Sequence, residues 1–106
     1  MLLNSVDFKG GLVTYISDKY SVEVLKGYEN SNSWEGQFFN IKGGNLNSAI
    51  ALVNMYVPPR GRDNFLHFQN EFFPVLHDLT DKFKHILIAG DSNADALKIS
   101  SQTLII

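Results

Sequence analysis

Apolar and polar residues alternate along LVTYIS, Leu12 to Ser17, and less regularly along SVEVL, Ser21 to Leu25. Alternation places successive side chains on opposite faces of an extended chain, so both segments read as strands, divided by the polar turn at Asp18 and Lys19. A Gly/Asn/Ser-rich break, GYENSNS, precedes WEGQFFNIK, a third strand in which Trp34, Phe38 and Phe39 supply bulky packing groups. The glycines and asparagines of KGGNLNS tolerate positive φ and predict a hairpin loop into a fourth strand, AIALVNMYV. Pro58 and Pro59 end that strand, because neither has an N–H to donate and each restricts the residue before it.

From Asp63 the period changes. Phe65, Phe68, Phe72, Leu76, Leu79 and Phe83 recur at three- and four-residue steps, which puts one apolar stripe along one face of a helix packed on the sheet. Asp63 is the expected N-cap. Pro74 lies inside the pattern and removes a backbone hydrogen bond, so the expectation is a kink or two shorter helices. HILIAG, from His85, is an apolar run too short for a helix and predicts a strand covered on both faces. Antiparallel strands, a crossover helix and a final strand make a layered α/β or α+β arrangement.

At 106 residues, the chain holds at most one compact domain. Its 44% hydrophobic and 19% charged residues are those of a folded protein rather than a disordered one. The absence of cysteine excludes disulfides and thiolate metal sites. MLLNSVDFKG lacks the flank and apolar core of a signal peptide, and no apolar run approaches the ~20 residues that span a bilayer, so an intracellular, unsecreted chain without membrane contact is expected. A net charge of −2 argues against a generic nucleic-acid coat, leaving room only for a local or metal-assisted contact.

Two segments could carry chemistry. GDSNAD follows the last apolar run, at the strand end where α/β proteins commonly place ligand groups. Asp91 and Asp95 offer hard oxygens suited to Mg²⁺ or Ca²⁺, and Asn93 offers an amide donor for a phosphate oxygen. Turn chemistry alone accounts for such a cluster in most chains. NMYVPPR ends the fourth strand, where the Tyr56 hydroxyl can reach beyond the sheet to an anionic oxygen; a half-buried strand tyrosine is the bland alternative. Arg60 and Arg62 follow and could meet phosphate, although exposed loop arginines are commonly just solvated.

Taken in order, GGLVTYI, SWEGQFF, ALVNMYVPP, the Phe-rich helix and HILIAGDSNAD with LKI behind it resemble the endonuclease/exonuclease/phosphatase (DNase I-like) family. The pattern is most similar to the endonuclease domain of non-LTR retrotransposons, with its Gly-Gly strand, N-x-Y-x-P-P strand end and GDFN turn. The match runs from Gly10 to about Ile99. The resemblance implies a four-layer sandwich of two facing sheets flanked by helices, and hydrolysis of a phosphodiester in DNA with Mg²⁺ or Mn²⁺. It assigns Tyr56 to contact with the scissile phosphate, Asp91 to orienting and deprotonating the attacking water, and Asn93 to positioning that site. A nuclear location would follow from the same likeness.

The sequence also departs from the family. Ser92 stands where Phe is usual, and Val57 where the retrotransposon branch often carries Arg or Lys. Nothing in the nine residues before Gly10 fits the family's asparagine strand or its metal-binding glutamate strand, and no aspartate-histidine pair follows Asn93. His67, His77 and His85 fall on the helix or at a strand start, and Glu23, Glu29, Glu35 and Glu71 read as ordinary strand, turn and helix residues. Residues 1–106 therefore read as a single partial domain, inactive or nearly so by itself, because removing single members of a catalytic group can cost several powers of ten in rate. The apolar ending Leu104, Ile105, Ile106 has no evident partner in sequence and suggests self-association or a partner chain over an uncovered core, unless it closes the chain's own. A non-catalytic binding module, or a phosphoester phosphatase of the same superfamily, are the competing readings.

Overall fold

A computed structural model describes residues 3–9, 12–28, 33–91 and 104–105. The elements are β1 (Leu3–Lys9), β2 (Leu12–Ser17), β3 (Tyr20–Val24), β4 (Glu35–Gly43), β5 (Ile50–Tyr56), α1 (Arg62–Lys82), β6 (His85–Asp91) and β7 (Leu104–Ile105). They form a mixed α and β fold: a two-stranded β1–β2 sheet and a five-stranded sheet in the order β3-β4-β5-β6-β7. All pairings are antiparallel except β5 with β6, which run parallel because α1 carries the chain back across the sheet.

The period-2 alternation sorts β4, β5 and β6 into two faces. Phe38, Ala51, Val53, Ile86 and Ile88 point to one side and are buried with Trp34, Val57, Phe65, Phe68, Phe72 and Leu79 beneath α1. Trp34 meets Phe38, Phe68 and Phe72 edge-on at ring-centroid distances of 6.1, 5.5 and 5.6 Å. Its indole Nε1 donates to Glu71 Oε1 at 3.2 Å, so the one polar atom of this large side chain is satisfied. On the opposite face Phe39 and Ile41 pack with Ile16 of β2, making a smaller second core between the two sheets.

Several local expectations are revised. Asp63 is not the N-cap: that position belongs to Gly61, two residues earlier, whose φ of 94° suits glycine, and Asp63 sits in the first turn, where its charge favours the helix dipole. The helix is not divided at Pro74 but runs unbroken through it. A proline inside a helix costs roughly 3 kcal/mol, and here Phe68 and Phe72 on one side of it and Leu79 on the other are all buried against the same core. Tertiary packing overrides the local preference. β6 is buried on its helix side through Ile86 and Ile88, while Leu87 and Ala89 opposite are only half-buried. The apolar ending is not unpartnered, since Leu104 and Ile105 pair with Ile88 and Leu87. LVTYIS and SVEVL, though adjacent in sequence, belong to different sheets, and Leu3–Lys9 forms a strand that the hydropathy pattern did not disclose. Among the described residues no helix is long and apolar enough to cross a membrane.

Candidate functional site

The parallel ladder brings Tyr56 and Asp91 together. They are Cα partners at the C-terminal ends of β5 and β6, one strand spacing apart, and Val57 N donates to Asp91 O at 2.9 Å. In the antiparallel β4–β5 ladder Tyr56 is also the partner of Glu35. Glu35, Tyr56 and Asp91 thus form one row across three strands, on the face turned toward β2. Asp91 is exposed, whereas Glu35 and Tyr56 are half-buried. The glutamate set aside above as an ordinary strand residue therefore belongs to the neighbourhood of the tyrosine.

Gly90 makes the Asp91 position possible. Its φ is +132°, and a Cβ there would stand 1.9 Å from Met55 O and 2.8 Å from Met55 N. The backbone of β6 approaches β5 more closely at this point than any other residue type allows.

Behind the row lies a polar network that joins the two sheets. Gln37 and Asn54 are Cα partners on β4 and β5. Gln37 Nε2 donates to Leu12 O at 3.2 Å, Thr14 Oγ1 donates to Gln37 Oε1 at 2.5 Å, and Asn54 Nδ2 donates to Thr14 Oγ1 at 3.0 Å. Gln37 is 2% and Thr14 8% exposed, so these bonds replace water lost on burial. On the outer side of the strand end, Asn64 Nδ2 donates to Ser33 O at 2.9 Å and to Pro58 O at 3.3 Å, tying the Pro-Pro segment to the start of α1 and to the approach to β4.

Of the residues singled out in sequence, Tyr56 and Asp91 are brought together. Arg60 and Arg62 are exposed at the same end of the sheet, in the loop after β5 and at the first position of α1. Asn93 and Asp95, like the Gly10–Gly11 pair, lie outside the described residues. His67 and His77 are exposed on α1, and His85 begins β6 roughly 20 Å from Asp91 at ~3.3 Å per residue. His85 lines an apolar pocket of about 420 Å³ with Leu46, Ile50 and Leu87, at the end of the sheet away from Tyr56.

The residues missed in sequence are Glu35, Thr14, Gln37, Asn54 and Asn64. Gln37, polar and central in a strand otherwise rich in large apolar groups, was the available signal. The row supplies two carboxylates, Asp91 on β6 and Glu35 on β4, which stand on strands separated by β5. Among the described residues no three His, Asp or Glu side chains gather as a metal-holding group. Comparisons with protein-family models, with curated proteins and with solved structures returned no match.

Proposed function

We propose that this chain is a partial metal-dependent phosphodiesterase domain of the endonuclease/exonuclease/phosphatase kind, with DNA as its substrate class and a four-layer sandwich as its complete architecture. The observation that supports it is the register pairing of Tyr56 with Asp91 across the parallel β5–β6 ladder. A phenol and a carboxylate at adjoining strand ends, on one face, provide a hydrogen-bond donor for a phosphate oxygen and an acceptor for the proton of an attacking water. Asn93, two residues beyond Asp91, would add an amide donor for the phosphate. A bound Mg²⁺ or Mn²⁺ would neutralise charge gathering on the phosphoryl oxygens. Because the sequence contains no counterpart of the family's glutamate strand or aspartate-histidine pair, turnover by this chain alone is weak or nil, while phosphodiester binding is retained.

A supercoiled-plasmid nicking assay, paired with binding of a fluorescent oligonucleotide, tests this with Mg²⁺ and with EDTA. Metal-dependent binding or nicking that is lost in Asp91→Ala and Tyr56→Phe supports the reading. A folded protein that neither binds nor nicks DNA overturns it. The second reading, a non-catalytic interaction module, is favoured by β3, which forms one edge of the larger sheet and leaves Val24 exposed.

A further inference from the structure

β3 is one edge of the five-stranded sheet, and its pairing with β4 fixes which of its backbone groups are occupied. Leu25 N donates to Phe38 O at 2.8 Å, and these two residues continue the β3–β4 register, so theirs is a hydrogen-bonded pair. Such pairs alternate along an antiparallel ladder. Glu23 and Ser21 therefore direct N–H and C=O toward β4, while Tyr20, Val22 and Val24 direct theirs away from it, toward the open edge. Among the described residues no strand pairs with that edge.

The devices that usually blunt an edge are missing. From Tyr20 to Val24 there is no proline or lysine, and the one charge, Glu23, alternates onto the face away from the smaller core. Tyr20 and Val22 pack against that core beside Ile16, Phe39 and Ile41, and Val24, on the same side, is 40% exposed. β2 crosses over β4 and β5, where Thr14 bonds to Gln37 and to Asn54, and so lies inward of the edge. On the other face Ser21 and Glu23 are exposed, so α1 does not cover them. The opposite edge of the sheet, Leu104–Ile105, is 2 residues long and offers no comparable template.

We propose that β3 pairs antiparallel with β3 of a second copy of this chain, joining the two five-stranded sheets into one across a two-fold axis at Val22. In such an isologous contact residue i meets residue j and j meets i. With Val22 opposite its own counterpart, Tyr20 lies opposite Val24 and Ser21 opposite Glu23, each pair occurring twice. This register uses every outward backbone group of Tyr20, Val22 and Val24. It also sets the exposed Val24 against an aromatic ring, a favourable cross-strand pair, and makes the two smaller cores continuous along one face. The neighbouring registers lose these features: centring on Glu23 puts two carboxylates directly opposite each other, and centring on Ser21 sets Val24 against Asp18 of the turn. The strand's complementarity to itself is what selects a second copy over an unrelated peptide. The inference stands independently of Tyr56 and Asp91, which lie on β5 and β6.

Sedimentation equilibrium of the wild-type chain, carried to about millimolar concentration because so narrow an interface belongs to the weak class, is expected to show a monomer–dimer equilibrium. Val24→Pro deletes an outward N–H and no bond to β4, and Val22→Lys sets two like charges opposite each other at the axis. Each is expected to weaken the dimer about tenfold or more, the scale of two lost hydrogen bonds. Circular dichroism checks that both fold; should one fail, the other carries the test. The chain has no cysteine, so single substitutions also read the register. Cα atoms of a hydrogen-bonded antiparallel pair stand roughly 5.5 Å apart, within the ~4.4–6.8 Å that a disulfide spans. Under mild oxidation Val22→Cys is expected to form a covalent dimer about tenfold faster than Ser21→Cys or Glu23→Cys, whose counterparts would stand diagonally, roughly 7–8 Å apart. A wild-type chain that stays monomeric overturns the proposal. So does a dimer that the folded Val24→Pro and Val22→Lys variants leave intact, or one that crosslinks fastest through Ser21→Cys or Glu23→Cys.

Discussion

Tyr56 and Asp91 stand opposite each other in the parallel ladder of β5 and β6, although the whole of α1 lies between them in sequence. The pairing depends on backbone register and not on either side chain, so the two groups can be removed separately without disturbing the strands. Tyr56→Phe and Asp91→Ala are therefore expected to unfold within about 1 kcal/mol of wild type in urea, because neither change empties a buried site. Both are expected to lose metal-dependent DNA binding. A variant that keeps binding, or that loses it only by unfolding, would remove its side chain from the proposed site.

Gly90→Ala is expected to behave in the opposite way. A methyl group at Gly90 would overlap Met55 O at 1.9 Å, and φ of +132° is a region that residues with a side chain rarely adopt. Relief requires β6 to move away from β5 at the level of the site, so both stability and binding should fall. Roughly 1–3 kcal/mol of lost unfolding free energy is the scale for holding a residue with a side chain in such a backbone region. A urea titration of the single variant measures it, and a loss below about 1 kcal/mol would mean the strand end yields without strain.

What sequence could disclose here was set by the range of the interaction involved. Alternation and stripe are local, and they located LVTYIS, WEGQFFNIK, AIALVNMYV, the helix and HILIAG because burial of one face imposes its period directly on the residues. Pairing is not local. Nothing in LVTYIS and SVEVL distinguishes two neighbours in one sheet from two strands in separate sheets, and the structure separates them. A cap at Asp63 and a break into two helices at Pro74 were not borne out for a related reason: propensities describe an isolated helix, whereas Phe68, Phe72 and Leu79 bind this one to the sheet along its length. At the site, Tyr56 and Asp91 were legible as strand-end residues. Glu35, Thr14, Gln37 and Asn54 were not, since their roles arise from register and from contacts between sheets.

The Thr14–Gln37–Asn54 network gives a measurable coupling. Gln37→Leu removes the acceptor for Thr14 and the donor to Leu12 O while leaving those groups buried, and an unsatisfied buried group costs about 1–3 kcal/mol. Thr14→Val leaves Gln37 Oε1 without its hydroxyl donor and should cost a similar amount. The double variant replaces both by apolar groups of similar shape, so its cost is expected to fall below the sum of the two by 0.5 kcal/mol or more, the lower bound for residues in contact (~0.5–3 kcal/mol). Urea unfolding of the four proteins in the cycle checks this. Additive costs would show that the short Thr14–Gln37 contact contributes nothing to stability.

Away from the site, Tyr28 donates a hydrogen bond to Asp78 Oδ2, and Lys82 Nζ lies 3.1 Å from the same oxygen. The Tyr28 hydrogen bond, followed by that from Lys82, holds the Asp78 carboxyl below its ordinary value of 3.8. Burial, and then the bond to Asp78, push the Tyr28 phenol above its ordinary value of 10.0. For a carboxyl whose folded pKa is depressed, the linked stability is present in full above the unfolded pKa and is lost as pH falls through the folded one. The stabilising effect of Asp78 should therefore be constant from neutrality down to a little above pH 3.8 and decline below it. Asp78→Asn removes the charge, so its urea midpoint should lie beneath wild type at pH 7 and converge on it as the pH drops below 3.8. A gap between the two proteins that stays constant from pH 7 to pH 3 would show that the carboxylate charge, as distinct from its hydrogen bonds, adds nothing to the fold.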